Sequence, residues 1–247
     1  MIEPGSDALM YSVVLPVYNE EGNIPALIDE IIAALDASPA GKYEILVVDD
    51  ASTDHSLRVM ESLSKKDARI RVFHHLKNCG QSAALATGLI RTRGRIIITL
   101  DADRQNNPAD IPQLLAALTG DVDAVCGVRQ KRQDNWVRLV SSRWANGFRN
   151  FMTGDVLADA GCGFRVMRRE AVAELPVFNG LHRFLPTLLR YQGYNVIEHP
   201  VSHRPRPWGT SKYGIGNRLF RGLLDCLVMR WWKKRMVPGR RVAPSHD

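Results

Sequence analysis

The chain has 247 residues, of which 45% are hydrophobic, so it can bury a sizeable core in one large domain with an appendage or in two domains. A formal net charge of +7 and a pI near 9.4 favour anionic partners: a nucleotide, a lipid phosphate or a membrane surface. The four cysteines lack zinc spacing, the first ten residues lack the pattern of a secretory signal, and no apolar run reaches the roughly 18 residues of a membrane span, so a cytoplasmic protein is expected.

The first half of the chain alternates between strand and helix patterns. Short apolar runs that end in polar turn residues predict strands covered on both faces, at Tyr11–Pro16, Glu44–Val48 and Arg95–Leu100. A small additional strand is predicted at Arg71–His74. Apolar residues at helical spacing predict helices at Asn23–Leu35, Ser52–Leu63 and Gln81–Ile90. This order predicts an α/β fold with a mostly parallel sheet.

Polar side chains follow three of these predicted strands. The clusters are Pro16, Tyr18, Asn19, Glu20 and Glu21 at the end of the strand at Tyr11–Pro16, Asp49, Asp50, Ser52 and Asp54 after Glu44–Val48, and Asp101, Asp103 and Gln105 after Arg95–Leu100. Ligands of parallel sheets bind outside the carboxyl ends of the strands. Three such clusters are harder to explain as helix caps than one would be.

The third cluster, which we call the acidic turn (residues 101–105), has two interpretations. Asp101 and Asp103, with Gln105 beside them, offer hard oxygen ligands suited to Mg²⁺ or Mn²⁺, and such a cation would hold a diphosphate. Alternatively, the aspartates belong to the cap of a following helix, with Asn107 at the N-cap and Pro108 as the first residue. This segment alone leaves both interpretations open.

The second cluster is also ambiguous. Asp50 can accept hydrogen bonds from a base or a ribose if Asp49 turns towards the next helix, whereas Ser52 and Asp54 are typical of a helix N-terminus near Thr53. The chain contains neither a Gly-x-Gly-x-x-Gly fingerprint nor a P-loop, which disfavours both kinds of phosphate loop. Phosphate charge must therefore be met by a metal and by basic side chains.

Six strings occur together and in the same order as in a known family. They are PVYNEEGNI (16–24), EILVVDDASTD (44–54), NCGQSAALATGL (78–89), LDADRQNNP (100–108), CGFRVMRRE (162–170) and RPRPWGTSKYG (204–214). They resemble inverting family 2 glycosyltransferases, and more narrowly the group of dolichol-phosphate mannose synthases and undecaprenyl-phosphate sugar transferases. The resemblance runs from about residue 11 to about residue 215. It implies the A-type, Rossmann-like glycosyltransferase fold for a catalytic domain of residues 1–215.

The resemblance also implies roles for individual residues. Pro16, Tyr18, Glu20 and Asp50 match the nucleotide pocket, and Asp101, Asp103 and Gln105 match the metal and diphosphate ligands. Arg129, Arg138, Ser142 and Arg206 match positions that hold the donor diphosphate or the acceptor phosphate; we expect Arg138 and Ser142 on the acceptor, and Asp103, Arg129 and Arg206 as catalytic residues. Two positions depart from the group: Arg104 replaces a common leucine, and Cys162 replaces a common serine, which puts an acceptor role for residue 162 in doubt.

Several of these residues also have simpler explanations. Arginines on a basic chain commonly lie solvated along the surface, and Arg138 fits that description. Arg206 lies between two prolines in a loop that also carries Lys212, so the two cations suit a lid over phosphates. His182 and His203 are expected to be structural. Asp159 is either a catalytic base or a turn-forming residue, and the sequence leaves both open.

The segment 216–247 is predicted to be an amphipathic basic helix and tail. Apolar residues fall on one helical face between residues 219 and 231, and Arg230, Lys233, Lys234 and Arg235 surround Trp231 and Trp232. Such a helix suits the plane of an anionic bilayer. The alternative is an ordinary helix that packs on the domain or forms a homo-oligomer interface.

The expected protein is a metal-dependent, inverting glycosyltransferase, peripheral on the cytoplasmic face of a membrane. It would move a sugar from GDP-mannose or a UDP-hexose to dolichyl or undecaprenyl phosphate, with Mg²⁺ or Mn²⁺ as cofactor and without a nucleic acid partner. One alternative is an enzyme of the same fold that acts on a soluble glycan, protein or small molecule, which would need a base such as Asp159. Another is a noncatalytic, membrane-associated protein that binds sugar nucleotides. The donor base, the sugar and the lipid length are not determined by the sequence.

Overall fold

The computed structural model describes residues 9–37, 41–130, 147–209 and 216–236. Its strands are β1 (Tyr11–Val17), β2 (Tyr43–Asp49), β3 (Ile70–His74), β4 (Ile96–Thr99), β5 (Ala124–Arg129), β6 (Arg165–Arg168) and β7 (Val196–Val201). Its α-helices are α1 (Ile24–Asp36), α2 (Ser56–Lys66), α3 (Gln81–Arg91), α4 (Ile111–Ala117), α5 (147–153), α6 (Arg169–Val172), α7 (Leu181–Tyr191) and α8 (Gly216–Arg235). The strand and helix pattern of the first half is thereby confirmed.

The strands form a single mixed sheet in the order β3-β2-β1-β4-β6-β5-β7. Strands β1 to β4 are parallel, β5 and β7 are parallel to each other, and β6 runs antiparallel between β4 and β5. Consequently, the carboxyl ends of β1, β2, β4, β5 and β7 and the start of β6 all lie at one edge of the sheet. We call this edge the carboxyl edge.

Both faces of the sheet are covered, as the apolar runs of the strands require. In β1, Val13 and Leu15 belong to a core shared with α1 and α4, whereas Val14 belongs to a second core shared with α3, α7 and α8. Alternate side chains of a strand point to opposite faces, so this division follows from the pleat. Helix α3 lies close to β1 at Gly88, where a Cβ atom would come within 2.3 Å of a methyl group of Val14.

Helix α2 starts later than predicted, at Ser56 rather than Ser52. The preceding residues are held by the loop after β1: Ser52 Oγ accepts from the backbone N–H of Asn19 at 2.9 Å, and Asn19 Oδ1 accepts from the N–H of Thr53 at 2.7 Å. Asp54 accepts from the N–H of Ser56 at 2.9 Å and so serves the first turn of the helix. Contacts between loops therefore override the local helix signal at 52–55.

Helix α8 has a packed face and an exposed apolar face. Cys226 and Met229 are buried in the second core, and Trp232 packs partly against it. Much of the predicted apolar stripe is exposed instead: Leu224 by 47%, Leu227 by 54%, Val228 by 50% and Trp231 by 58%. Among the described helices, none combines the length and the apolar character needed to cross a bilayer.

Candidate active site

The carboxyl edge carries unusual backbone conformations at each of three strand ends. Among the described residues, Asn19, Ala51 and Arg104 are the ones other than glycine with positive φ, at 53°, 58° and 58°. They follow β1, β2 and β4, respectively. Non-glycine residues in this region cost free energy and concentrate at functional sites, so the backbone itself marks this edge.

Asp49 and Asp50 follow each other in the chain but contact different loops. Asp49 turns to the N–H of Ser52, at 3.1 Å, whereas Asp50 faces the next loop. The Asp50 carboxylate accepts from the N–H groups of Cys79 at 2.8 Å and Gly80 at 2.7 Å, and it lies 2.8 Å from Nδ1 of His75. Asp50 thus fixes the loop that leads into α3.

Asp50, His75 and Cys79 also place one ligand atom each within 4.8 Å of one another, a spacing that a metal ion could use. However, the Asp50 oxygens already serve two backbone N–H groups, and Nε2 of His75 lies 2.9 Å from Thr87 Oγ1. Buried polar groups with such complete hydrogen bonding are typical of a structural role. Asp50 and His75 therefore hold the loop before α3 in place.

The acidic turn holds its two carboxylates close together. Burial and the neighbouring charge of Asp103 raise the pKa of Asp101 to about 6, although Arg165 and Arg129 counteract this. Gln81 Nε2 donates to Asp101 Oδ1 at 2.8 Å, and a Cβ at Gly163 would come within 2.5 Å of the same carboxylate. A pair of crowded hard oxygen donors that repel each other's ionisation fits a divalent cation.

The capping interpretation of the same segment is confirmed for Asn107 and Pro108, and not for the aspartates. Asn107 Oδ1 accepts from the N–H of Ala109 at 3.1 Å, and Pro108 opens a short 3-10 helix. Asp103 accepts from the N–H of Gln105 at 3.1 Å, which closes the turn. Both interpretations thus describe neighbouring parts of one loop.

Arg129, at the end of β5, pairs with Asp159 through a two-pronged contact. Its Nε donates to Asp159 Oδ2 at 2.7 Å and its Nη2 to Oδ1 at 2.8 Å. The N–H groups of Gly161 and Arg129 also donate to this carboxylate, at 3.2 Å and 3.4 Å. Four donors therefore converge on Asp159, which positions Arg129 beside the acidic turn.

The loop at 203–209, which we call the arginine loop, closes over the end of β1. Arg206 pairs with Glu20 and has Nη1 3.9 Å from Asp103 Oδ2. Its tip is fixed by Trp208, which lies on Gly22 so closely that a Cβ there would be 2.8 Å from the ring. Asn23 Nδ2 donates to the carbonyl of Trp208 at 3.3 Å. Two predicted site residues, Glu20 and Arg206, are thus in direct contact.

Of the remaining predicted residues, some lie at the end of β1 and others lie outside the described residues. Pro16 lies within β1, opposite Val48 of β2, and Tyr18 follows that strand. Arg138, Ser142 and Lys212 lie outside the described residues. His182 is structural as expected, because its Nδ1 lies 2.7 Å from Ser82 Oγ.

Sequence reasoning missed Arg165, which is 2% exposed at the start of β6. Its Nη2 donates to the carbonyl of His182 at 2.8 Å, and its charge lowers the pKa of Asp101. A buried guanidinium needs opposite charge nearby, and Asp101 supplies it. The sequence held one signal for this residue: Arg165 lies inside the apolar run CGFRVM (162–167). An arginine is rarely fully buried unless it is paired, so its position there predicts a nearby negative charge.

Comparison with known proteins identifies the family. The model of glycosyl transferase family 2 matches residues 12–175, and the chain belongs to this family; it is a glycosyltransferase. It is 37% identical over 220 residues to an undecaprenyl-phosphate 4-deoxy-4-formamido-L-arabinose transferase of Edwardsiella ictaluri, covering 88% of this chain and 67% of the relative. It is 34% identical over 238 residues to a dodecaprenyl-phosphate galacturonate synthase of Rhizobium johnstonii, covering 94% and 70%.

Solved structures confirm the predicted A-type glycosyltransferase fold. A mannosyltransferase from Pyrobaculum calidifontis, solved with GDP-Man and Mn²⁺, superposes with a TM-score of 0.64 at 22% identity, covering 96% of this chain and 68% of that one. A glucosyl-3-phosphoglycerate synthase from Mycobacterium tuberculosis, solved with Mn²⁺ and UDP-glucose, has a TM-score of 0.65 at 22% identity, covering 90% and 79%.

Proposed function

We propose that this family 2 glycosyltransferase transfers a sugar from a nucleotide sugar to a polyprenyl phosphate, with inversion at the anomeric carbon. The donor would carry GDP or UDP, and the acceptor would be dolichyl or undecaprenyl phosphate. Two kinds of support meet here: relatives at 34% and 37% identity act on polyprenyl phosphates according to their names, and the carboxyl edge has the charges that a diphosphate and a phosphate require.

The observation that carries the proposal is that the Asp159 carboxylate already accepts several hydrogen bonds. An acceptor hydroxyl must lose a proton, so a base with a free lone pair has to stand near the sugar. Asp159 instead receives four donors, among them both prongs of Arg129. A phosphate monoester is already ionised near neutral pH, its second pKa being about 6, and needs no such base.

The donor would lie across the ends of β1, β2 and β4. Tyr18, Glu20 and Asp50, with Pro16 beneath them, would line the nucleotide pocket. Asp101, Asp103 and Gln105 would hold Mg²⁺ or Mn²⁺ against the diphosphate. When bound, this cation offsets the charge that develops on the leaving nucleoside diphosphate.

The arginines would complete the phosphate sites. Arg129 is held rigidly by Asp159, and a guanidinium fixed in this way loses little freedom when it meets a phosphate oxygen. Arg206 would exchange its contact with Glu20 for the reacting phosphates, assisted by Lys212. We assign Arg138 and Ser142 to the acceptor phosphate, which makes them positioning rather than proton-transferring groups.

The outer face of α8 would bring the enzyme to its lipid acceptor on the cytoplasmic side of a membrane. Lys233 Nζ donates to the carbonyl of Thr153 at 3.2 Å and joins α8 to α5. Helix α5 exposes Phe148 by 44% and Phe151 by 78%, and we assign these side chains to the same membrane-facing surface. Exposed Arg230, Lys234 and Arg235 add positive charge, so the combined surface suits an anionic bilayer. A homo-oligomer interface on this surface is the competing assignment.

The experiment compares acceptors that differ only in the phosphate. The purified protein is incubated with Mn²⁺, radiolabelled GDP-mannose, UDP-glucose or UDP-galacturonate, and either undecaprenyl phosphate or undecaprenol in detergent. We expect label in the lipid fraction with the phosphate and none with the alcohol. Transfer to the alcohol, or transfer only to a soluble sugar or peptide, would contradict the proposal.

A further inference from the structure

Glu30 of α1 lies between two arginines that belong to different loops. One carboxylate oxygen, Oε1, contacts Nη2 of Arg104 in the acidic turn, and the other, Oε2, lies 2.9 Å from Nη1 of Arg204 in the arginine loop. The three side chains are 27%, 23% and 37% exposed, respectively, so the pairs are partly shielded from water. Two ion pairs that share one partly buried carboxylate stabilise a structure more than an isolated ion pair on the surface does.

The same two loops are also joined through their backbones. The N–H of Arg204 donates to the carbonyl of Gln105 at 2.9 Å, and Asn106 and His203 form an isolated antiparallel bridge. The guanidinium of Arg204 additionally contacts Asn107 Oδ1. The acidic turn and the base of the arginine loop therefore form one unit, and Glu30 attaches this unit to α1.

Arg206 is only two residues beyond Arg204, and a proline lies between them. Two extended residues span about 7 Å, and the proline restricts the backbone, so a displacement of Arg204 is passed on to Arg206. Arg206 already lies beside both Glu20 and Asp103. The position of a guanidinium relative to a reacting phosphate controls the rate steeply.

We propose that Glu30 is a positioning residue for sugar transfer: by bridging Arg104 and Arg204, its carboxylate sets where Arg206 stands relative to the donor diphosphate. This inference rests on the proposed function in assigning Arg206 to phosphates. Without the Glu30 charge, Arg104 and Arg204 would face each other as like charges, and the arginine loop would lose its tie to α1.

The test measures loop order and catalysis in the same variants. Glu30→Gln removes the charge and nearly preserves the shape, Arg104→Leu removes one arm of the bridge, and Asp29→Asn, an exposed neighbour on α1, is the matched control. Hydrogen exchange is followed in peptides that contain 203–209. Transfer to undecaprenyl phosphate and hydrolysis of the nucleotide sugar by water are measured alongside.

We expect Glu30→Gln to speed exchange in the arginine loop and to lower kcat about tenfold, with the KM for the donor changed less than twofold. Arg104→Leu should give the same changes to a smaller extent, and Asp29→Asn should give neither. Unchanged exchange at 203–209 in Glu30→Gln would overturn the inference, as would faster exchange with an unchanged kcat. Exchange and donor hydrolysis need no lipid acceptor, so a failure of the proposed acceptor would leave this test intact.

Discussion

The carboxyl edge and the outer face of α8 are the two described regions that we assign to ligands, and they are built in opposite ways. At the carboxyl edge, Asp50 and Asp159 are buried and each accepts several hydrogen bonds. On α8, Leu227 and Trp231 are more than half exposed, and the neighbouring charges are cationic. Binding at the carboxyl edge would depend on the exact positions of single atoms, whereas binding at α8 would depend on exposed apolar area and positive charge.

This difference sets how each region should respond to substitution. A hydrogen-bonded, buried group loses its function when a single atom changes, because the partners cannot be replaced by water. Apolar area and surface charge contribute in small increments that add up over many residues. Steep effects are therefore expected at the carboxyl edge and shallow, additive effects on α8.

The largest effect is expected from Asp103→Ala. Removing this proposed metal ligand should lower kcat about 1,000-fold, which corresponds to about 4 kcal/mol of lost transition-state stabilisation. Far-ultraviolet circular dichroism and the Tm should stay close to those of the parent, since the core lies elsewhere. EDTA should reproduce the loss in the parent protein. Normal turnover in metal-free buffer would contradict the metal assignment and with it the steep effect expected at the carboxyl edge.

Asp159→Asn should lower kcat about 30-fold, because an amide cannot accept from both prongs of Arg129 as a carboxylate does. If Asp159 only positions Arg129, the shape of the pH–rate profile should be retained in the variant. If Asp159 were a base, the variant would lose the acidic limb of that profile. The measurement is kcat against pH with the phosphate acceptor, and Asp159→Glu serves as the conservative variant.

Asp101→Asn should remove activity and yet stabilise the metal-free protein, because burial and the charge of Asp103 act more strongly on Asp101 than the attraction of Arg165 does. The pKa of Asp101 is raised to about 6 in the folded state, from the ordinary 3.8, so ionising it opposes folding above pH 6 and this penalty fades as the pH falls towards 4. At pH 8 the variant should gain about 3 kcal/mol, or roughly 150-fold in the unfolding equilibrium. Urea unfolding at pH 8 and pH 4.5 measures the gain and its loss. Equal stability of variant and parent at pH 8 would show that the carboxylate is not strained.

On α8 the expected effects are the smallest. Leu227→Ala and Trp231→Ala should each weaken binding to anionic liposomes about threefold, and the double variant about tenfold, because the contributions add. Nucleoside diphosphate binding should not change. Deleting the helix is a poorer test, because Cys226 and Met229 belong to the second core. If a single substitution abolished sedimentation with liposomes, binding by α8 would depend on one residue, and the expectation of small, additive effects would be wrong.

The sequence predicted those features whose cause is local. Apolar runs predicted β1, β2 and β4, and the residues that follow them include the acidic turn, because strand ends and turn chemistry are written in adjacent residues. The start of α2 was wrong, since Asn19, 33 residues before Ser52, holds that segment. The pairing of Arg129 with Asp159 and the bridge made by Glu30 join residues far apart in the chain, and no short-range pattern records such contacts.

Strand β6 has a consequence for the order in which the molecule assembles. It is inserted between β4 and β5, and the hydroxyl of Thr99 in β4 donates to the carbonyl of Gly163 at 2.7 Å, just before β6 begins. During synthesis, the acidic turn therefore emerges some 60 residues before Gly163, against which Asp101 lies. The arginine loop emerges later still. Because chains fold as they leave the ribosome, the proposed cation site should be completed late, when the second half of the sheet has folded against the first.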